Sequence, residues 1–340
     1  MIRHADIVVD LQAGDTGKGK VSHWLAKNFQ YDAVLRYNGG ANAGHTIYHE
    51  GQKVVTHQVP VGVFYGIPSI IGVGCVVNLP KLREEIDMLA NLGFKAPVMI
   101  DSRCHVTTEE HIREDSEDTK IGTTRQGIGP TYRDKYARTG TRIGNFLKYN
   151  SWDLPYDMID TYHYFHGDNR EVNVLCEGAQ GFQIDIDWGD YPYVTSSHCT
   201  SGAVALNGVP PRTWRSVYGI MKAYETYSGF KTHFTDESPI FEKIQEVGQE
   251  FGATTGRKRQ VRWLHLDGVI QALYINDVTH LIINKVDVLE QVNGFGVVFR
   301  GTTHRFHTSQ EFKQFVEDTI RWHYRGELHS ITWSRTPEGV

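Results

Sequence analysis

Four clusters in the chain have residue types and spacing suited to work on phosphates and carboxylates. The first, Gly14-Asp-Thr-Gly-Lys-Gly-Lys20, fits the form G-x-x-x-x-G-K, but Val21 stands where a phosphate loop of that form has the Ser or Thr that binds Mg²⁺. Gly14, Gly17 and Gly19 let backbone N–H groups approach phosphate oxygens, a following helix N-terminus adds positive potential, and Lys18 or Lys20 supplies a point charge. Asp15 is the odd member. A carboxylate inside such a loop repels phosphate unless a cation stands between them, so Asp15 is expected to be a metal ligand, a base, or both. The second cluster, Tyr37-Asn-Gly-Gly-Ala-Asn-Ala-Gly-His-Thr46, offers Asn42 and His45 on a loop after a strand, where ligands of α/β proteins commonly bind. The third, Asn284-Lys-Val-Asp287, ends an apolar run. There Asp287 suits the N1–H and N2–H₂ donors of guanine, and the Lys285 stem suits the face of the ring. No D-x-x-G switch occurs in the chain, which excludes a signalling GTPase. The fourth, Thr254-Thr-Gly-Arg-Lys-Arg259, sets three cations behind two hydroxyls, and guanidiniums in a fixed loop suit bidentate binding of carboxylates. Taken singly, each cluster also suits an ordinary turn. Their combination is what points to chemistry.

These loops need strands and helices to hold them. Apolar runs at Asp6–Leu11, Ala33–Leu35, Ile70–Val77, Val98–Ile100, Val172–Leu175, Ser216–Met221 and His280–Ile283 read as strands. Helical patterns lie between several of them, including one near Lys20–Lys27 and one opened by Pro80 with Leu82, Ile86 and Leu89 at helix spacing. Short strands alternating with helices predict an α/β fold, a large and mostly parallel sheet with helices on both faces. With 340 residues, no internal repeat and no linker rich in Pro, Gly or Ser, a single domain over 1–340 is expected. Glu109–Lys120 reads as a solvated charge run without a chemical role, and Ser228–Ser238 as a surface segment without a period.

Composition narrows the function classes. The chain is 40% hydrophobic and 22% charged, ordinary for a globular protein, with a net charge of −5 and no long run of one sign. That excludes a dedicated binder of nucleic acid or membrane surfaces. No apolar stretch is long enough to span a bilayer, and Met1-Ile-Arg-His-Ala-Asp6 does not read as a signal peptide. The four cysteines are scattered with no C-x-x-C pair, as expected of reduced thiols in the cytoplasm, a host's cytoplasm if the chain is viral.

In chain order, GDTGKGK, NGGANAGHT, IGTTRQGIGPTYRDKYAR (121–138), EGAQG (177–181), YPYVTSS (191–197), GATTGRKR (252–259) and NKVD (284–287) resemble adenylosuccinate synthetase, and the resemblance spans nearly the whole chain. It looks like a short form of that family, lacking much of the C-terminal part of typical bacterial members. The resemblance implies a P-loop-like nucleotide-binding fold and a ligase that joins L-aspartate to C6 of IMP with GTP, yielding adenylosuccinate, GDP and phosphate. It implies that Asp15 removes the purine N1 proton and binds Mg²⁺, with the Gly44 carbonyl as a second ligand. It further implies that His45 hydrogen-bonds the β/γ region of the donor. Gly14, Thr16, Gly17, Lys18, Gly19 and Lys20 then hold its phosphates, with Lys18 also acting in catalysis, and Lys285 and Asp287 hold its base. Asn42, Thr124, Gln180 and Thr195 match monophosphate contacts, and Thr255, Arg257 and Arg259 match aspartate contacts. Arg138 matches a residue that reaches the phosphate from the other subunit, which implies a homodimer.

Some segments depart from the family. Ala13-Gly-Asp-Thr16 stands for the usual W-G-D-E, and Asp10-Leu-Gln-Ala-Gly14 looks more like a phage branch that acts on dGMP, often with ATP or dATP, to make a 2-aminoadenine precursor. In that branch the base Asp is commonly replaced by Ser, whereas Asp15 is present here. Arg125-Gln126 replaces Gly-Arg, Ser228-Gly-Phe-Lys-Thr-His-Phe234 replaces V-G-A-G-P-F-P near the ribose, and Ser334-Arg-Thr-Pro337 only loosely matches the base-binding turn S-T-G-P. Two acceptor readings follow, IMP with GTP as the favoured one and dGMP with a purine triphosphate as the alternative.

Overall fold

The computed structural model describes residues 1–117, 122–149, 155–232, 234, 238–252, 256–336 and 339–340. Its centre is a nine-stranded sheet. The order is Ser330–Trp333, His280–Asn284, Trp214–Lys222, Ile2–Asp10, Val172–Glu177, Ala33–Arg36, Ser69–Ile71, Val98–Asp101 and Asp157–Ile159. Every neighbouring pair in it runs parallel, as the alternation of strands and helices predicts.

Parallel strands must be covered on both faces, and the side chains alternate accordingly. Along the first strand Ala5, Ile7 and Val9 enter one apolar cluster, which also takes Leu273 and Phe312 from helices Leu266–Asn276 and Ser309–His323. Val8 points to the opposite cluster, which takes Val21 and Leu25 from helix Lys18–Asn28 and Leu82 and Leu89 from helix Leu79–Asn91. Asn78 caps the last of these by accepting from the Lys81 N–H, and Pro80 sits in its first turn.

A second, four-stranded sheet joins Tyr224–Tyr227, Gln260–His265, Phe295–Phe299 and Thr302–Phe306. The expected strand over Ile70–Val77 is two strands in different sheets, Ser69–Ile71 and Val76–Val77. Between them the chain turns, with the Cys75 N–H donating to the Gly72 carbonyl at 2.9 Å.

Glu109–Lys120 also departs from expectation. Glu109–Glu117 is a helix packed on helix Ile128–Ala137, and Asp115 is buried, accepting from the Gly127 N–H at 2.9 Å. The last three residues of that run lie outside the described residues.

Candidate active site

Five adjacent strands of the main sheet end on the same side in a polar residue. In sheet order these are Asn284, Lys222, Asp10, Glu177 and Arg36. All five are buried. Apolar strands that each end in a buried polar group form the floor of a cleft at the carboxyl edge of the sheet, where α/β proteins take their ligands. The cleft has a volume of about 1170 Å³.

The phosphate loop follows Asp10. Gly17, at φ 102°, caps helix Lys18–Asn28 without a side-chain bond, so the first N–H groups of the helix are left for a ligand. Both lysines of the loop are engaged. Lys18 Nζ lies 2.8 Å from Asp10 Oδ2, which also accepts from Thr16 Oγ1 at 2.5 Å. Lys20 Nζ donates to Asn284 Oδ1 at 2.6 Å, Ser334 Oγ at 2.7 Å and the Thr336 carbonyl at 3.0 Å. Burial, with the nearby Lys285 charge, pushes the Lys20 ammonium down to about 8, while Asp287 opposes the shift.

Lys20 therefore ties the phosphate loop to the two segments expected to hold the donor base. In the first of these, Lys285 takes a left-handed conformation and opens helix Val286–Val292, with Asp287 in its first turn, and its Nζ donates to the Gly248 carbonyl at 2.9 Å. In the second, Ser334, Arg335 and Thr336 line the same cleft as Asp287.

Asp15 leaves the loop toward a charged cluster. Its Oδ2 lies 2.8 Å from Arg259 Nη2 and accepts from Ser228 Oγ at 3.0 Å. Burial alone would raise its pKa, but Arg259, then Lys222 and Lys18, hold the carboxyl below the ordinary carboxylate range. Glu250 organises these cations: its carboxylate accepts from Arg259 Nη1 at 2.5 Å, Lys222 Nζ at 2.8 Å and Tyr224 OH at 2.6 Å. Against the cost of burial, Lys222 and Arg259 hold Glu250 down at about 2. Arg259, expected only on the aspartate substrate, is thus also the partner of Asp15. Arg257 donates to the carbonyls of Gly122 at 2.8 Å and Thr123 at 2.9 Å, while Thr255 lies outside the described residues.

His45 opens strand His45–His49 and is buried at the cleft wall. A Cβ on Gly19 would stand 2.8 Å from the His45 Cβ, so the phosphate-loop helix approaches this histidine as closely as a glycine allows. His45 Nδ1 is 2.5 Å from Glu177 Oε1. Burial and the neighbouring Arg36 push the imidazole down to about 4, against the pull of Glu177.

The other expected residues collect as follows. Asn42, Gly44, Thr124, Gln180 and Thr195 all line the cleft, as do Gly14, Thr16, Gly17, Gly19 and Asp287. Arg138 does not. It is exposed at the end of helix Ile128–Ala137 and lines a separate cavity of about 460 Å³ with His105, Lys135 and Arg142. Glu114, Asp115 and Glu117 stand on the cleft wall, which corrects the reading of their segment as a solvated face.

The donor set fits a hard divalent cation. The carboxylate of Asp15, its side chain 29% exposed, and Gly44 line one cleft, and carboxylate and carbonyl oxygens are the donors that such a cation takes.

Sequence reasoning missed Asp10, Arg36, Glu177, Lys222 and Glu250. For the first four a signal was present, an apolar strand run that ends in a single charged residue. Glu250 carries no such mark.

Comparison with known proteins agrees with this geometry. A family model described as adenylosuccinate synthetase matches residues 7–159 and 151–318. The adenylosuccinate synthetase of Chlorobium chlorochromatii is 39% identical over 341 residues, covering 84% of this chain and 77% of that protein. That of Christiangramia forsetii is 36% identical, covering 88% and 82%. A fully ligated adenylosuccinate synthetase from Plasmodium falciparum superposes with a TM-score of 0.85 at 25% identity, over 98% of this chain and 97% of that one. The succinoaminodeoxyadenylate synthetase of cyanophage S-2L, solved with dGMP and dATP, shares the fold with a TM-score of 0.73 at 21% identity, over 94% and 100%. The family match, the identities over most of the chain and the shared fold agree: the chain belongs to the adenylosuccinate synthetase family of C–N ligases.

Proposed function

We propose that the protein joins L-aspartate to C6 of IMP with GTP, releasing adenylosuccinate, GDP and phosphate. The observation that carries this reading is an ionised Asp15 inside a phosphate loop, in one cleft with His45, Asp287, Arg257 and Arg259.

The C6 oxygen of a purine is a poor leaving group, and phosphorylation makes it a good one. Asp15 takes the N1 proton. The O6–phosphorus bond forms as the bond from the γ-phosphorus to the β/γ bridging oxygen breaks. Catalysis of such a transfer rests on positioning and positive charge. Gly14, Thr16, Gly17, Lys18, Gly19 and Lys20 hold the donor's phosphates, and His45 hydrogen-bonds its β/γ region. Lys285 and Asp287 hold the guanine. Asn42, Thr124, Gln180 and Thr195 hold the monophosphate, completed by Arg138 from a second copy of the chain, with each 1–340 chain acting as one unit. Thr255, Arg257 and Arg259 clamp the carboxylates of aspartate, whose amine then displaces the 6-phosphoryl group. Mg²⁺, held by Asp15 and the Gly44 carbonyl, offsets phosphate charge when bound. We assign the enzyme to the cytoplasm, in keeping with its four buried, free cysteines.

A second reading takes dGMP as the acceptor, in keeping with the shared fold of the cyanophage enzyme solved with dGMP and dATP. Ser228, which opens the segment that departs from the family near the ribose, donates to Asp15. A pocket that leaves the 2-amino group of guanine without partners rejects it by about 1–3 kcal/mol. The test is to incubate the protein with Mg²⁺, L-aspartate and GTP, with IMP in one tube and dGMP in another, repeat the pair with ATP, and follow the succinylated product by mass. Product from IMP with GTP is expected. Product from dGMP alone would move the enzyme to the 2-aminoadenine route.

A further inference from the structure

The side chain of Asn284 has no part in the reaction scheme above, yet it touches both flanks of the phosphate loop. Its Nδ2 donates to the Thr16 carbonyl at 2.7 Å, and its Oδ1 accepts from Lys20 Nζ at 2.6 Å. The placing of the two amide atoms is forced, because a backbone carbonyl can only accept and an ammonium can only donate. Between these contacts lies Gly17, in a left-handed conformation at φ 102°. A Cβ there would stand 2.8 Å from Asn284 Nδ2, so the loop lies against this side chain as closely as a glycine permits. Asn284 is 4% exposed and ends strand His280–Asn284, immediately before Lys285 and close to Asp287.

Lys20 extends the connection. An ammonium has three N–H donors, and here all three meet protein acceptors: Asn284 Oδ1, Ser334 Oγ at 2.7 Å and the Thr336 carbonyl at 3.0 Å. The charge of Lys20 acts on the donor's phosphates, while its hydrogen bonds go to the segments around the base. Ser334 Oγ accepts from Lys20 and donates its own proton to the Gly339 carbonyl at 2.7 Å. The Ser334 N–H donates to the Ile283 carbonyl at 2.9 Å. The phosphate loop, the Asn284–Asp287 segment and the Ser334–Thr336 segment are thereby one hydrogen-bonded unit, with the Asn284 amide at its centre.

We propose that Asn284 is the positioning residue through which the donor's base sets the phosphate loop, so that the base governs the rate of phosphoryl transfer as well as donor binding. The inference rests on the placement, given above, of the donor's base at Lys285 and Asp287 and of its phosphates on the loop. A base held at Asp287 fixes the start of helix Val286–Val292, and with it the strand end that carries Asn284. The amide passes that constraint to the Thr16 carbonyl and to Lys20, on the two sides of Gly17. Phosphoryl transfer depends on holding the γ-phosphate in line with the attacking oxygen. Binding energy from a remote part of a substrate can serve that alignment, and a donor lacking it loses kcat as well as affinity.

Asn284→Ala removes both contacts and leaves Lys285 and Asp287 in the chain. The experiment measures kcat and KM with GTP and with ATP as donor, for wild type and variant, at saturating L-aspartate and saturating acceptor. In wild type the better donor is expected to exceed the other in kcat by about tenfold or more. In Asn284→Ala, kcat with the better donor is expected to fall by about 10–100-fold, the scale of the two hydrogen bonds lost. With the poorer donor kcat should stay within about threefold, so the ratio between donors collapses. A side chain that only holds the fold together lowers kcat with both donors by one factor, and that result would overturn the proposal. So would a variant with wild-type kcat for both. Equal wild-type kcat for GTP and ATP, with all discrimination in KM, would overturn it even if Asn284→Ala failed to fold. The ratio is scored on whichever triphosphate is the better donor, so a preference for ATP would correct the guanine assignment alone. A chain that turns over neither would sink the proposed function, and the inference with it.

Discussion

The floor and the rim of the cleft handle charge in opposite ways. On the floor, Lys18 with Asp10, Arg36 with Glu177, and Lys222 with Glu250 are ion pairs whose members are no more than 4% exposed. On the rim, Arg335 pairs with Glu290 and Arg133 with Glu114 while each arginine is more than half exposed, and Arg257 rests on two backbone carbonyls. A buried pair is costly to break because either partner left alone keeps its desolvation penalty, whereas an exposed pair contributes little. The floor is therefore arranged before any substrate arrives. The rim is held by contacts that a substrate carboxylate or phosphate can replace at small cost.

Substitutions on the two sides should then fail differently. The largest effect is expected from Asp15→Asn: turnover lower by about 10³-fold or more, the upper range for loss of a general base, with both nucleotides still binding. Steady-state rates with equilibrium nucleotide binding check this, and unchanged activity would remove Asp15 from the mechanism. Glu250→Gln comes next. It leaves Lys222 and Arg259 facing each other without their carboxylate, and thermal or denaturant unfolding should register a loss of about 3 kcal/mol. A loss near zero would mean the floor is no more committed than the rim.

Arg257→Ala belongs to the rim. It should raise KM for aspartate by about 10–100-fold, roughly 1.4–2.7 kcal/mol, with unfolding nearly unchanged. A collapse of stability in this variant would contradict the division. The smallest effect concerns acid. The carboxyls of Glu177 and Glu250 are both lowered from 4.5 to about 2 in the folded protein, so their stabilisation is complete well above pH 4.5 and is lost as pH falls toward 2. Between pH 7 and 4.5 the two together should cost about 1 kcal/mol, read as a fall in the unfolding midpoint.

The same division explains what the sequence alone revealed. Gly14–Lys20, His45 and Asn284–Asp287 were legible because glycines and charges cluster locally and break the apolar pattern around them. The parallel sheet was legible for a similar reason, since its strands read as short apolar runs. The partners of those residues were not. Asp10 meets Lys18 within one turn, but Glu177 reaches His45 and Glu250 reaches Lys222 only through strand order, which no local pattern encodes. Arg259 shows the limit most sharply: its spacing suggested a carboxylate of the substrate, and folding also gives it a carboxylate of the protein. The helix Glu109–Glu117 was misread because charge is plentiful on it, while Asp115 is buried and Glu114 and Glu117 line the cleft with it.

The central claim is that O6 of the acceptor is phosphorylated before aspartate displaces it. The direct test is turnover of IMP labelled with ¹⁸O at the 6-position, with Mg²⁺, GTP and L-aspartate, followed by mass analysis of the released phosphate. The account predicts one ¹⁸O in phosphate for each adenylosuccinate formed. Adenylosuccinate accompanied by unlabelled phosphate would contradict it.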